Sequence, residues 1–285
     1  MNPIIPASAF PRIGLALGGG GARGLAHVHV VEALDELGLK AAAVTGCSIG
    51  AIIGAGVAAG MSGAEVREHV LSVLGKPADV WARIWQLRPR NFSELISGIP
   101  LFDPEAVVTA FLPETIPAAF ADLPIPFATV ATDFYGTSEL EITDGPVRRA
   151  VAASIALPAI FRPVEYDGLT LLDGGLVNPL PFDKLPEAID LVVACDVVGT
   201  PVRPDKRSVP NAREALFGAS QVLMQSLITE KLKSRHPDVL VRPPVSDIRV
   251  LDFMKAREIL EATASVKDEV KRGIDAVLTG WDVEA

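Results

Sequence analysis

The N-terminal part of the chain alternates short apolar runs with amphipathic stretches. "RIGLAL" is apolar and ends in Gly18–Gly21, as a buried strand entering a tight turn does. From Leu25, "LAHVHVVEALDELG" has apolar residues at helical spacing, and Gly38 stops it. "AAAVTGC" reads as a second buried strand, and a helix is expected from about Ile49. "SGAEVREHVLSVLG" is a further helix, with Ser62 as N-cap and Gly75 as its stop. Strand–helix–strand–helix predicts a mostly parallel sheet with helices on both faces.

From Lys76 to Pro117 the pattern loosens. This segment holds two of the three tryptophans, several prolines and no strand alternation, and a helix is expected after Pro104. "IPFATVATDF" and "SELEIT" then predict two strands with a turn at Tyr135–Gly136. "PVRRAVAASIALP" predicts a helix closed by Pro158. "VEYDGLTLLDGG" predicts a hairpin turning at Asp167–Gly168. "DLVVACDVV" is a buried strand, Asn211 to about Ser234 a long helix, "DVLVRP" a last strand, and Lys255 to Leu278 a last helix. There is no internal repeat, low-complexity tract or flexible linker, so residues 1–285 are expected to form a single domain.

Composition narrows the function classes. A chain of 285 residues buries a sizeable core, and 49% apolar with 21% charged residues fits a globular protein. The net charge of −9 disfavours nucleic acid and does not steer the chain toward anionic membranes. Cys47 and Cys195 lie in apolar, strand-like contexts without metal spacing. They read as buried thiols in a reducing compartment, so the protein is expected to be cytoplasmic, peripheral to a membrane at most. The stretch "MNPIIPASAFPR" lacks the basic and apolar regions of a signal peptide. The uncharged apolar run Ser48–Met61 is too short to span a bilayer and contains four glycines.

Two small-residue motifs carry candidate chemistry. Gly19, Gly21 and Gly24 in "GGGGARG" satisfy G-x-G-x-x-G between a strand and a helix, the dinucleotide fingerprint. That fingerprint also needs an acidic residue near the end of the next strand, and none occurs between Leu37 and Ala64. The loop still converges backbone N–H groups at a helix start, and an oxyanion formed in a transition state suits it as well as a phosphate does. Gly46-Cys47-Ser48-Ile49-Gly50 is G-x-S-x-G, again between strand and helix, the context of a nucleophile elbow.

A nucleophilic serine needs a base. Of the four histidines, His27 and His29 sit two apart on one helix and cannot share a face; His69 lies in an ordinary amphipathic helix; His236 follows a helix end. Asp173, in "LTLLDGGLVNPLP", follows an apolar strand and precedes Gly174 and Gly175, which let another segment approach its carboxylate closely. A water-poor site raises the pKa of such a group and makes it a better base.

At these residues the sequence resembles the patatin-like phospholipases, above all their short bacterial serine-esterase type. "LALGGGGARGLAHVHVVEAL", "GCSIGAIIGA" and "AASIALPAIFRPVEYDGLTLLDGGLVNPLP" are similar to that family's oxyanion block, elbow and aspartate block, in its order, within a resemblance covering about Ile13–Val198. The resemblance implies an α/β/α sandwich with a mostly parallel sheet and a Ser–Asp dyad that uses no histidine, with Ser48 as nucleophile and Asp173 as base. It implies an oxyanion loop Gly19–Gly24, with amides of Gly20, Gly21 and Ala22 as donors and Arg23 contacting phosphate or bracing the loop. Gly46, Gly50, Gly174 and Gly175 are the supporting glycines. The implied substrate is a phospholipid, lysophospholipid or other acyl ester, with no metal or other cofactor and with transient contact with a membrane surface. Cys47 departs from the residue usual at that elbow position. Trp81, Trp85, Leu87 and Phe92 are candidates for an acyl-pocket wall or lid. Two alternatives stay open at this point: a Ser–Asp–His carboxylesterase using His236, and a non-catalytic lipid- or nucleotide-binding protein on the same fold.

Overall fold

The structure, a computed structural model, describes residues 11–76, 80, 87, 101–202 and 209–281. Trp81, Trp85 and Phe92 lie outside the described residues. The strands are β1 (Ile13–Leu17), β2 (Ala41–Cys47), β3 (Phe127–Asp133), β4 (Ser138–Ile142), β5 (Val164–Tyr166), β6 (Leu169–Asp173), β7 (Leu191–Cys195) and β8 (Val239–Val241). The described helices are α1 (His27–Glu36), α2 (Ile49–Ala58), α3 (Gly63–Leu74), α4 (Pro104–Phe111), α5 (Val147–Ser154), α6 (Ala212–Lys231), α7 (Ala256–Ala262) and α8 (Val266–Trp281).

The sheet runs β5-β6-β3-β2-β1-β7-β8, with β4 also paired to β3. β1, β2, β3, β7 and β8 are mutually parallel, whereas β4 and β6 run antiparallel to β3. β1 shows why the sheet is covered on both sides. Successive side chains of a strand point to opposite faces. Ile13, Leu15 and Leu17 enter the larger apolar cluster, with α1, α2 and α5, while Ala16 enters a smaller one with Phe182, Leu185 and Ile228 of α6. The second layer packs closely because its strand residues are small: a Cβ on Gly14 would stand 2.8 Å from Leu185.

Local signals explain most boundaries. Ser62 and Glu65 form a reciprocal capping box at α3, and Asn211 and Glu214 another at α6. Asp167 and Gly168 both take positive φ, as a two-residue hairpin turn requires. α5 stops at Ser154, short of Pro158. The single last helix expected from Lys255 to Leu278 is two helices. The buried Thr263 bonds back to the Ile259 carbonyl at 2.7 Å and leaves helical geometry, which separates α7 from α8. Among the described residues no helix is long and apolar enough to cross a membrane.

The strand register decides where chemistry can happen. β4 pairs with Thr129–Asp133 along one edge of β3. The other edge is shared: β2 pairs with Phe127–Val130, and β6 with Ala131–Asp133. β2 and β6 therefore run head to head, with Cys47 opposite Val130 and Asp173 opposite the next residue, Ala131. The residue after Cys47 is Ser48.

Candidate active site

β1 and β2 are paired with Leu17 opposite Gly46, so the glycine loop and the elbow leave the sheet side by side. Ser48 has φ 53° and ψ −120°. A residue with a side chain there costs about 1–3 kcal/mol of backbone strain, so its surroundings must hold it. Its amide donates to Ser154 Oγ at 2.9 Å, and its carbonyl accepts from Ala51 at 2.9 Å. Gly46 and Gly50 are required by contact. A Cβ on Gly50 would lie 2.0 Å from the Leu17 carbonyl oxygen, and one on Gly46 2.5 Å from that of Gly50. The bend leaves Ser48 at the start of α2, where the helix dipole favours negative charge.

Ser48 Oγ donates to Asp173 Oδ2 at 2.7 Å. Asp173 Oδ1 accepts the Gly175 amide at 2.8 Å, and the Asp173 carbonyl accepts from Thr132 at 2.7 Å. Gly174 permits this close seat, since a Cβ there would be 2.2 Å from the Val130 carbonyl oxygen. Asp173 is 4% exposed. Burial pushes its carboxyl up to about 6, against the opposing pull of the hydrogen bonds from Ser48 and Gly175.

The glycine loop differs from expectation in its donors. The Gly19 amide donates to Pro179 at 2.9 Å and the Ala22 amide to Val250 at 2.8 Å, so neither is free for a guest. Gly20 and Gly21 are different: among the described residues no carbonyl accepts from their amides, and both line the cavity beside Ser48. Gly21 has φ +60°, and a Cβ on Gly19 would sit 3.4 Å from Ser48 Cβ. Gly24 is a packing position, where a Cβ would meet Ile49 at 2.2 Å. Arg23 braces the loop. Its Nε donates to Ile248 at 2.6 Å and its Nη1 to Val198 at 2.8 Å, which commits the guanidinium to the protein's own carbonyls.

No histidine bonds Ser48 among the described residues. His27 bonds the Gly18 carbonyl at 2.9 Å, and its complete burial lowers its pKa to about 4. His29 bonds the Leu260 carbonyl and His69 that of Phe111. His236 is exposed just before β8, at the amino ends of the parallel strands, whereas Ser48 follows a carboxyl end. That placement removes the Ser–Asp–His alternative. Cys47 and Cys195 are buried and unpaired, and burial raises both thiols well above their ordinary range. Among the described residues, no group of three or more His, Cys, Asp or Glu could hold a metal ion.

Ser48 and Asp173 open into a cavity of about 1140 Å³. Its walls are mainly apolar, with Ile52, Val70, Leu87, Phe102, Ile160, Phe161, Phe217, Met224 and Met254 among them. Sequence reasoning missed Ser154, which pins the elbow amide, and the carbonyls of Val198, Ile248 and Val250, which hold the glycine loop. Ser154 stands within the quoted "AASIALP", but nothing in that stretch says that its hydroxyl faces an amide more than a hundred residues earlier. The three carbonyls belong to backbone and leave no mark in residue types.

The family model for patatin-like phospholipase matches residues 15–186. An uncharacterized NTE family protein of Mycobacterium tuberculosis is 35% identical over 210 residues, which are 73% of this chain and 55% of that protein. Lysophospholipase NTE1 of Saccharomyces cerevisiae is 26% identical over 271 residues, 87% of this chain and 16% of the yeast protein. The chain thus spans about half the length of the mycobacterial relative and a small part of the yeast one. Among solved structures, VipD from Legionella pneumophila superposes with a TM-score of 0.52 at 15% identity, covering 94% of this chain and 68% of its own, a likeness of fold.

Proposed function

This chain belongs to the patatin-like phospholipase family, a family of carboxylic ester hydrolases, and from that premise we propose that it cleaves acyl esters of lipids through Ser48 and Asp173. One observation carries the reading. A serine held in a strained bend donates to a buried carboxylate at 2.7 Å, at the wall of a largely apolar cavity lined also by Gly20 and Gly21, whose amides no described carbonyl accepts.

The chemistry follows from the geometry. Asp173 Oδ2 takes the Ser48 proton as Oγ attacks the ester carbonyl, and the carbonyl electron pair moves onto its oxygen. The amides of Gly20 and Gly21 hold that oxyanion; one such donor contributes about 3–4 kcal/mol to the transition state. The intermediate collapses, the carbon–oxygen bond to the alcohol breaks, and Asp173 returns the proton to the leaving alkoxide. Water, deprotonated by the same carboxylate, then attacks the acyl-serine. The acid departs and Ser48 recovers its proton. A carboxylate with a pKa near 6 suits this task, because it is ionised at neutral pH yet more basic than an exposed aspartate. The apolar walls suit an acyl chain.

A fluorophosphonate probe followed by intact-mass measurement tests the reading. Wild type is expected to gain one adduct, and Ser48→Ala none. Asp173→Asn is expected to react at least about 100-fold more slowly. Labelling that persists in Ser48→Ala, or hydrolysis of a short-chain ester by that variant at the wild-type rate, overturns the proposal.

A further inference from the structure

α6 presents an unusual outer face. Exposed positions recur along it at helical spacing, and they carry Leu216, Val222, Leu223 and Leu227, which are 55%, 54%, 65% and 38% exposed. Between Glu214 and Glu230 the helix has no charged residue. A solvated helix face is ordinarily polar. The opposite face of the same helix, through Phe217 and Met224, lines the cavity that holds Ser48. The apolar surface continues around the mouth, where Leu251 and Met254 line the cavity and are still 42% and 40% exposed. Of the exposed large apolar side chains among the described residues, only Leu37, Phe134 and Tyr135 lie neither on or beside this helix nor in the cavity lining.

We propose that the outer face of α6 and the adjoining lip dock the protein on a lipid surface of zwitterionic head groups, with the cavity mouth against that surface. The proposal rests on the reading of the cavity as a lipid-ester site. Charge selects the occupant. The protein carries −9 overall, and the charged groups in the cavity lining near the patch, Glu214, Asp247, Arg249 and Asp252, are more acidic than basic, with Arg213 beside Glu214 on α6. The net charge offers an anionic membrane no attraction, whereas a surface without net charge suits an uncharged apolar helix face. Continuity selects it too. A lipid leaving the surface beside α6 enters the cavity without crossing water, so one helix serves the surface with one side and the substrate with the other.

Co-sedimentation with phosphatidylcholine vesicles tests this. The proteins are wild type, Ser48→Ala, the double variant Leu216→Gln/Leu223→Gln and the control Leu37→Gln, which changes an exposed leucine at the end of α1. Wild type, Ser48→Ala and the control are expected to bind alike, with little change between low and high salt. Replacing some of the phosphatidylcholine with phosphatidylglycerol is expected not to tighten binding. The double variant is expected to bind about tenfold more weakly or worse, while hydrolysing a soluble short-chain ester at the wild-type rate, which shows that it folds. Equal binding by the double variant, or no vesicle binding by wild type, overturns the proposal. So does a wild-type dimer that the double variant dissolves without any vesicle binding, since the face would then belong to a second copy. If wild type binds vesicles through α6 but cleaves no ester, the esterase reading fails and the docking surface stands.

Discussion

The floor of the cavity and its walls are built on opposite principles. On the floor, backbone lies against backbone: at Gly46, Gly50, Gly174 and Gly21 a single added carbon would come within 2.5 Å of a carbonyl oxygen. In the walls, mainly apolar side chains of several kinds surround a volume of about 1140 Å³. On the proposed reading, the contrast matches what each part would do. Holding a serine, a carboxylate and two amides in register leaves no freedom, whereas receiving an acyl chain needs only apolar space.

Substitutions measure that contrast. The largest effect is expected from Gly50→Ala, whose new methyl would be driven into the Leu17 carbonyl. Denaturant unfolding should show a loss of about 4 kcal/mol or more, the range reserved for severe packing conflict, and ester hydrolysis should vanish with it. Next is Asp173→Asn, expected to lower kcat by about 10²–10⁴-fold. In wild type, kcat/KM should rise with pH around 6, because only the ionised carboxylate accepts the Ser48 proton.

Stability should move the other way. The folded pKa of Asp173, about 6, exceeds the unfolded value near 3.9. The stabilisation from the bound proton is therefore complete below about pH 3.9 and is lost as pH rises through 6. At pH 8 the buried charge costs about 2–3 kcal/mol, a cost that asparagine removes. Asp173→Asn should thus melt higher than wild type at pH 8 and equally at pH 4, as thermal scans at the two pH values will show.

A smaller loss is expected for Ser154→Ala. Its removal leaves the Ser48 amide without its acceptor at 2.9 Å, a defect of about 1–3 kcal/mol. kcat should fall by about tenfold or somewhat more, with KM little changed, and Ser154→Thr should recover part of the rate. Smallest is Phe161→Leu in the wall, expected to cost under about 1.5 kcal/mol. It should leave short esters turning over normally while shifting the preferred acyl-chain length. If Phe161→Leu proved as damaging as Gly50→Ala, the distinction between floor and wall would fall.

The same distinction governs how much the sequence disclosed. Tight backbone contacts demand glycine, and glycine is visible, so the loop, the elbow and the Asp173 turn were all legible, as were the strands that deliver them. The head-to-head meeting of β2 and β6 was not, because it depends on how two strands divide one edge of β3. The engaged amides of Gly19 and Ala22 were equally hidden, since their acceptors are carbonyls that every residue carries. The long helix α6 was legible, but its uncharged exposed face gains meaning only once the cavity is seen behind it. The break at Thr263 was missed because a threonine hydroxyl bonding to its own helix is allowed by the apolar pattern on either side.

The braces on the glycine loop also set an order of events during synthesis. Gly20 and Gly21 are synthesised well before their braces: the loop is held by carbonyls at Val198, Ile248 and Val250, and β1 is not flanked on its second side until β7 arrives. A nascent chain that has already exposed Ser48 and Asp173 still lacks these supports. On the proposed reading, the pair of loop amides is therefore unsupported until the segment through Val250 has been made.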